Sequence, residues 1–395
     1  MQVGEIDWGP SKGYQIQDYQ LSPSSWNRYE ECPRKYWLSR QSLPRKVGMP
    51  IVIGNAIHNS VEDLCNFDIS NKNDDDKGWL PKLAKKTLDH HWQLQKDIFF
   101  DTPRRPKWKS NSYNKAIDGL NKALYMLLSQ VKIDNVKLSN VSVRMWRKIR
   151  EIIIAAEGTM NSNCGKLMGR LDLLLKDIDE EGNQIGWIVV DLKTGKPPKG
   201  KLSETVNRQL RFYRDLLMLI NINHPPIRAE GWYTANKTMH EAIGPSVTDN
   251  AMATWDLIEL TDIPFEATPE EFTCGFCEWK AWCPKWLIAI NEGVLKKGGR
   301  FSNEVVKLVN FDPDEGLASF EVMFPEGQDG DLVESGERFG AFLANQPLNQ
   351  LRELYSQGYE GPLFLGSARL DGEIRHLGDW SEILPWKPLL KSIRG

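Results

Sequence analysis

Residues 169–196 read GRLDLLLKDIDEEGNQIGWIVVDLKTGK. Two apolar runs stand out, Leu173, Leu174 and Leu175, then Ile188, Val189 and Val190, with Asp172 just before the first and Asp191 just after the second. The acidic Gly-Asn turn between them marks two neighbouring strands. Side chains on a strand alternate, so Asp191 and Lys193 share one face while Leu192 points the other way. A carboxylate at the edge of an apolar run is costly unless a cation pairs with it, and a lysine or a divalent ion does so.

Outward from this pair the periodicity stays mixed. EIIIAAEGTM (151–160) reads as a third strand, VNRQLRFYRDLLMLI (206–220) as an amphipathic helix, and AEGWYTANKTM (229–239) as a return to strand. The order predicts a compact α/β core, a mixed sheet flanked by helices. Upstream, LSPSSWNRYEECPRKYWL (21–38) opens with a Ser-Pro-Ser helix start and places Cys32 on or at the end of an early helix. IVIGNAIHNSVEDLCNF (51–67) predicts a second helix entered through Gly54, with His58 beside the apolar side of Ile57, Val61, Leu64 and Cys65. Residues 70–150 keep a helical pattern and read as an insertion in the same domain. The expected organisation is an N-terminal arm over 1–20, a main domain over 21–292, a linker at GVLKKGGRF, and a small β-rich accessory region over 301–395 of unknown fold.

The chain has 395 residues, 41% of them hydrophobic, with a net charge of -3. From Phe301 onward there are about 16 acidic and 8 basic side chains, so the larger part is mildly basic and the tail acidic. Fifteen tryptophans are many for this length, and Arg104, Arg105, Lys107 and Lys109 crowd around Trp108. Such interleaving suits a strand with a charged backbone and stackable bases, and equally a solvated loop. With no basic leader and no run of about 18 apolar residues, the expectation is a soluble, cytoplasmic protein without membrane contact.

Six cysteines are too few for a disulfide scaffold. Cys65 and Cys164 read as ordinary buried thiols. Cys32 stands alone, whereas Cys274, Cys277 and Cys283 cluster in TCGFCEWKAWCPKW. A one-plus-three split implies one metal cofactor pinning the two ends of a domain together, and four thiolates satisfy either tetrahedral Zn²⁺ or a cubane cluster. Two acids with a neighbouring lysine form a sensible kit for phosphodiester hydrolysis, the acids holding Mg²⁺ or Mn²⁺.

Taken in order, SPSSWNRYEECPRKYW, GNAIH, GRLDLLL, VVDLKTGK, QLRFY and CGFCEWKAWC resemble the RecB-type branch of the PD-(D/E)XK nucleases, which includes Cas4 proteins, the AddB nuclease domain, Dna2 and exonuclease V. The resemblance covers about residues 21–290. It implies a metal-dependent deoxyribonuclease, an exonuclease ahead of an endonuclease, acting on single-stranded DNA or DNA ends in repair, recombination or phage DNA metabolism. By the same resemblance His58, Asp172, Asp191 and the Leu192 carbonyl become metal ligands and Lys193 the catalytic lysine. Gln209 and Tyr213 match its QxxxY helix, although core packing accounts equally well for Tyr213, and Glu157 becomes an additional acid on the preceding strand. Cys32, Cys274, Cys277 and Cys283 match its 4Fe-4S ligands, so the resemblance chooses iron-sulfur where spacing does not.

GKPPKGKL (195–202) imitates a phosphate-binding loop, but Leu202 stands where Ser or Thr is needed and two prolines remove amide donors. An ATPase is thereby excluded, and Lys196, Lys199 and Lys201 are left to solvent or a DNA backbone. The competing class is a non-catalytic DNA-binding or assembly subunit of a nuclease-helicase complex. Its basis is the acidic C-terminal region, through which a helicase or recombination partner would dock.

Overall fold

The computed structural model of the chain describes Ile6, Trp8 and residues 19–393. The expected arm over 1–20 lies almost wholly outside the described residues. The chain divides into two compact units, one of Met1–Asn27, Met49–Phe99 and Lys109–Glu259, the other of Arg28–Gly48, Phe100–Trp108 and Leu260–Gly395.

The opening helices are α1 (Pro23–Glu31) and α2 (Pro33–Ser39), and they are separate because Pro33 follows Cys32 and cannot continue a helix. Ser22 and Ser25 start α1 by exchanging backbone-to-side-chain hydrogen bonds, Ser22 N–H to Ser25 Oγ at 2.8 Å and Ser25 N–H to Ser22 Oγ at 3.3 Å. α3 (Met49–Asn66) begins well before Gly54, which therefore sits inside the helix instead of at its entrance. A Cβ there would stand 3.4 Å from Thr194 Oγ1, an ordinary contact with the turn that follows the DLK strand.

The 70–150 region folds as α4 (Trp79–Asp101), α5 (Ser112–Gln130) and α6 (Val143–Ile152). Then come β1 (Ile153–Asn161), β2 (Met168–Ile178), β3 (Gln184–Lys193), α7 (Glu204–Ile220), β4 (Ile227–Tyr233), β5 (Thr238–Glu241) and α8 (Thr248–Leu257). The five strands form a mixed sheet in chain order; β3 and β4 run parallel across the α7 connection, and the other neighbours are antiparallel. Leu173, Leu175, Ile188, Val190, Leu192 and Trp232 share one core with the apolar faces of α3, α4, α5 and α6. The alternate residues Asp191 and Lys193 therefore face α7.

The second unit holds Cys32, Cys274, Cys277 and Cys283. α9 (Glu271–Phe276) carries Cys274, and α10 (Pro284–Asn291) follows Cys283. Around them Trp37, Trp279, Trp282, Trp286 and Trp386 build a tryptophan-rich core, which gives the high tryptophan count a packing role. Arg104 lies inside this unit, only 1% exposed. It donates Nε to Glu382 Oε2 at 3.0 Å and Nη2 to the Glu278 carbonyl at 2.7 Å, over the Trp282 ring. The sequence suits Arg104 equally to a DNA strand or a solvated loop; its burial and pairing make it a structural residue. Cys164 likewise departs from expectation, being half-buried, whereas Cys65 is fully buried.

The chain continues through β6 (Phe301–Asp312), β7 (Leu317–Glu326), β8 (Asp331–Leu343), α11 (Asn345–Ser356), β9 (Leu363–Asp371), β10 (Ile374–Leu377) and β11 (Glu382–Pro385). The sheet closes on itself. β6, β7 and β8 form a meander, β9 returns to pair with β6, and β10 fills the gap, antiparallel to β9 and parallel to β8. This ring, with a helix between its third and fourth strands, has the strand order of an OB barrel. Among the described residues no helix is long and apolar enough to cross a membrane.

Candidate active site

Register aligns the acids. Leu173 pairs with Val190, so one step further Asp172 of β2 stands across from Asp191 of β3. Opposite residues of an antiparallel pair project to the same side. On the other flank Ala156 pairs with Leu173 and Gly158 with Leu171, which sets Glu157 across from Asp172. Glu157 occupies the left-handed region with φ 58, a conformation that favours glycine and is costly for a glutamate.

His58 Nδ1 lies 2.9 Å from Asp172 Oδ1, and Asp172 Oδ2 accepts the Leu192 N–H at 2.6 Å. Burial alone would lower His58, but the Asp172 carboxylate outweighs it and holds the imidazole up at about 9. When neutral, the ring gives its Nδ1 proton to Asp172 and leaves the Nε2 lone pair free, the usual arrangement of a carboxylate-oriented metal ligand. Ligand atoms of His58, Glu157 and Asp172 all lie within 4.8 Å of one another. Burial pushes the Glu157 carboxyl up, reinforced by the Asp172 charge, while Arg170 forms an ion pair with it.

Asp191 is 6% exposed and does not join that trio. Its Oδ1 accepts from Gln209 Nε2 at 2.9 Å, and its Oδ2 pairs with Lys193 Nζ at 2.6 Å. Yet the buried Oδ2 accepts no hydrogen bond of good geometry, so a carboxylate lone pair remains for a further cation. Burial pushes Asp191 up and the Lys193 ammonium opposes that rise. Burial pulls Lys193 down, but the Asp191 charge wins and keeps it charged.

Gln209 ties this pair to α7. Its Oε1 accepts from Lys193 Nζ at 3.2 Å, and its Nε2 also reaches Tyr213 Oη at 3.2 Å, the i, i+4 partner. Tyr213 is buried, and burial, then the Asp191 charge, raises its phenol well beyond the usual range. It packs against Gly169, where a Cβ would fall 3.0 Å from the ring. α7 itself is fixed by the Ser203 cap on the Val206 N–H and by Arg208, which lies over the Trp26 ring and donates to Asn27 Oδ1 at 2.7 Å. The sequence reading missed that anchor; its signal was the Trp-Asn pair in SSWNRY. The Leu192 N–H donates to Asp172.

In the second unit Cys32, Cys274, Cys277 and Cys283 line one small cavity with Lys35 and Lys280. Among the described residues no three cysteine sulfurs approach within 4.8 Å, whereas sulfurs around one tetrahedral zinc sit about 3.8 Å apart. Cys32 and Cys283 each cap the N-terminus of a helix whose first residue is proline, α2 and α10. Burial pushes Cys277 up to about 12 and Cys283 to about 11. Lys280, also missed from sequence, is 7% exposed, lowered by burial, and donates to the Gly275 carbonyl at 2.9 Å.

A mixed sheet bearing a row of acids, a lysine one alternation away and a histidine delivered by a neighbouring helix has the arrangement of a nuclease core. A family model described as the PD-(D/E)XK nuclease superfamily matches residues 20–284, and the chain belongs to that superfamily. Its members are generally phosphodiesterases that use divalent metals. Among curated proteins none matches this chain. Among solved structures, the crystal structure of SSO0001 aligns over 66% of this chain and 96% of that one, at 14% identity and a TM-score of 0.24.

Proposed function

We propose that the chain is a divalent-metal-dependent deoxyribonuclease of the RecB-like, Cas4-like branch, directed at single-stranded DNA or DNA ends as an exonuclease. The observation that carries this reading is the buried Asp191–Lys193 pair bridged by Gln209, one strand from the Asp172–His58 pair. His58, Glu157 and Asp172 fit as donors for Mg²⁺ or Mn²⁺, and Asp191, whose Oδ2 is ion-paired with Lys193, would be the further acid beside them. A divalent ion held there supplies Lewis-acid polarisation of the scissile phosphate. Lys193 offers a fixed ammonium to the charge that develops on phosphate oxygens, and Gln209 keeps it aimed. Asp172 orients His58, and Tyr213 closes the α7 side against water.

The four cysteines fit a 4Fe-4S cluster by the chemistry of their donor set. In such a cluster each thiolate sits on its own iron, so four cysteines brought to one cavity from the two ends of a domain would supply the full ligand set. Cys32 and Cys283, at the starts of α2 and α10, line the same cavity as Cys274 and Cys277. Brown absorbance with stoichiometric iron and sulfide supports the cluster; a colourless, folded protein with bound zinc refutes it.

The nuclease reading is tested with 5′- and 3′-labelled strands, ends free or blocked, in Mg²⁺ or Mn²⁺ with and without EDTA. Metal-dependent mononucleotide or short-oligonucleotide release from free ends supports it. Retention of intact DNA in every condition returns the protein to the class of binding subunits.

A further inference from the structure

The OB-type barrel raises the question of what it binds. Strands two and three form the usual binding face of such barrels, together with the turns flanking them. Here that face is β7 and β8, and its flanking turns expose Asp312, Asp314 and Glu315 on one side and Asp371 and Glu373 on the other. These acidic turns disfavour a phosphate backbone. Just ahead of β6, by contrast, Lys296, Lys297 and Arg300 form a run of exposed cations.

There a groove of about 920 Å³ opens beside the barrel, lined by Phe276, Lys296, Lys297, Arg300, Phe301 and Trp380 among others. Phe276 is 80% exposed, Trp380 55% and Phe301 41%. Exposed aromatic rings around a cationic groove are the equipment by which single strands are held, bases on the rings and phosphates on the cations. Lys297 lies over the Phe324 ring and Arg300 over Phe301. The acid in the groove, Glu271, sits 3.3 Å from Lys296, with both side chains solvated, so it offsets only part of the positive charge. Gly298 holds the arrangement: a Cβ there would meet the Phe301 carbonyl oxygen at 2.1 Å, so only glycine closes the turn that presents Arg300 and Phe301 at the rim.

We propose that this groove takes a short segment of single-stranded DNA, its phosphates on Lys296, Lys297 and Arg300 and its unstacked bases on Phe301 and Trp380. Charge complementarity selects the occupant, because Lys296, Lys297 and Arg300 line the groove against the single acid Glu271, whereas the turns flanking β7 and β8 carry acids. Duplex DNA, whose bases are already stacked, cannot use the rings. The inference rests on the nuclease reading only for its substrate class; the groove is a holding site separate from the acids of the first sheet.

Binding of a fluorescent oligothymidylate to the full chain, followed by anisotropy in EDTA across a salt series, tests it. Lys297→Ala with Arg300→Ala is expected to weaken binding about tenfold or more and to make the log–log salt slope shallower by about 1.4. Phe301→Ala with Trp380→Ala is expected to weaken binding at least tenfold with the slope unchanged. The charge variant alters only solvated side chains, so the test holds even where the aromatic variant folds poorly. Affinity within twofold of the parent for the charge variant, with an unchanged slope, overturns the proposal and returns the groove to some other partner, such as an acidic protein segment. Absence of cleavage in the metal-containing assay would sink the nuclease reading and leave this result standing; cleavage with groove-indifferent binding sinks the groove alone.

Discussion

Asp172 of β2 accepts the backbone N–H of Leu192 of β3 at 2.6 Å with one carboxylate oxygen and holds His58 at 2.9 Å with the other. One side chain thus pins the DLK strand and aims the histidine. Asp172→Asn should reduce metal-dependent cleavage by about 10²- to 10³-fold and let His58, held at about 9 by the carboxylate, titrate near or below 6.5. NMR titration of the metal-free protein reads the second effect. A His58 that still titrates near 9 would remove Asp172 as its orienting partner. The sign for stability follows: a raised histidine contributes fully below 6.5 and loses that contribution as pH rises through about 9.

Gln209 touches Asp191, Lys193 and Tyr213 together. Gln209→Leu keeps the volume and removes all three contacts, so turnover should fall about 10- to 100-fold while affinity for single strands in EDTA stays unchanged. An equal loss of turnover and of binding would show that the glutamine supports the fold and not the chemistry.

Glu157 stores backbone strain beside the candidate metal ligands. Glu157→Gly should relieve about 1 kcal/mol of strain and remove a buried carboxylate. The metal-free protein should therefore melt higher, while the Mn²⁺ affinity read by calorimetry drops. A variant that loses stability and keeps its metal affinity would make Glu157 a structural residue.

Glu382 is buried against Arg104 and Lys46. Burial raises its carboxyl, but the two cations outweigh that and hold it below its ordinary value. A depressed carboxylate contributes stability above its unfolded value and loses it as pH falls through the folded one, so the second unit should be the acid-sensitive part below about pH 4.5. Glu382→Gln strands the Arg104 charge and should cost about 3 kcal/mol in chemical denaturation, with the acid transition blunted.

Strong periodicity made the first sheet legible. The runs around Asp172 and Asp191 alternate between a core face and an α7 face as their spacing requires, and α7 shows its amphipathic pattern without interruption. β8 escaped notice because DLVESGERFGAFL carries charges and glycines on an outward face, and its strand character comes from pairing with β7 and β10. β5, β10 and β11 are each four residues long, too short for any period to register. At the site, residue types and order point to His58, Asp172, Asp191 and Lys193, but no sequence rule reveals that Gln209 links two of them. Arg104 misled because an Arg-Arg-Pro-Lys-Trp string looks solvent-bound; its partner, Glu382, is 278 residues away.

That separation has a consequence for the growing chain. Arg104 is synthesised long before the carboxylate that neutralises it, Cys32 waits for the Cys274–Cys283 segment, and the barrel cannot close until β10 inserts between β8 and β9. The second unit therefore completes only when its last strands leave the ribosome, whereas the sheet with the acids needs nothing beyond residue 259. A ribosome stalled past that point would present the sheet with its acids already formed and the Arg104 charge still open to water.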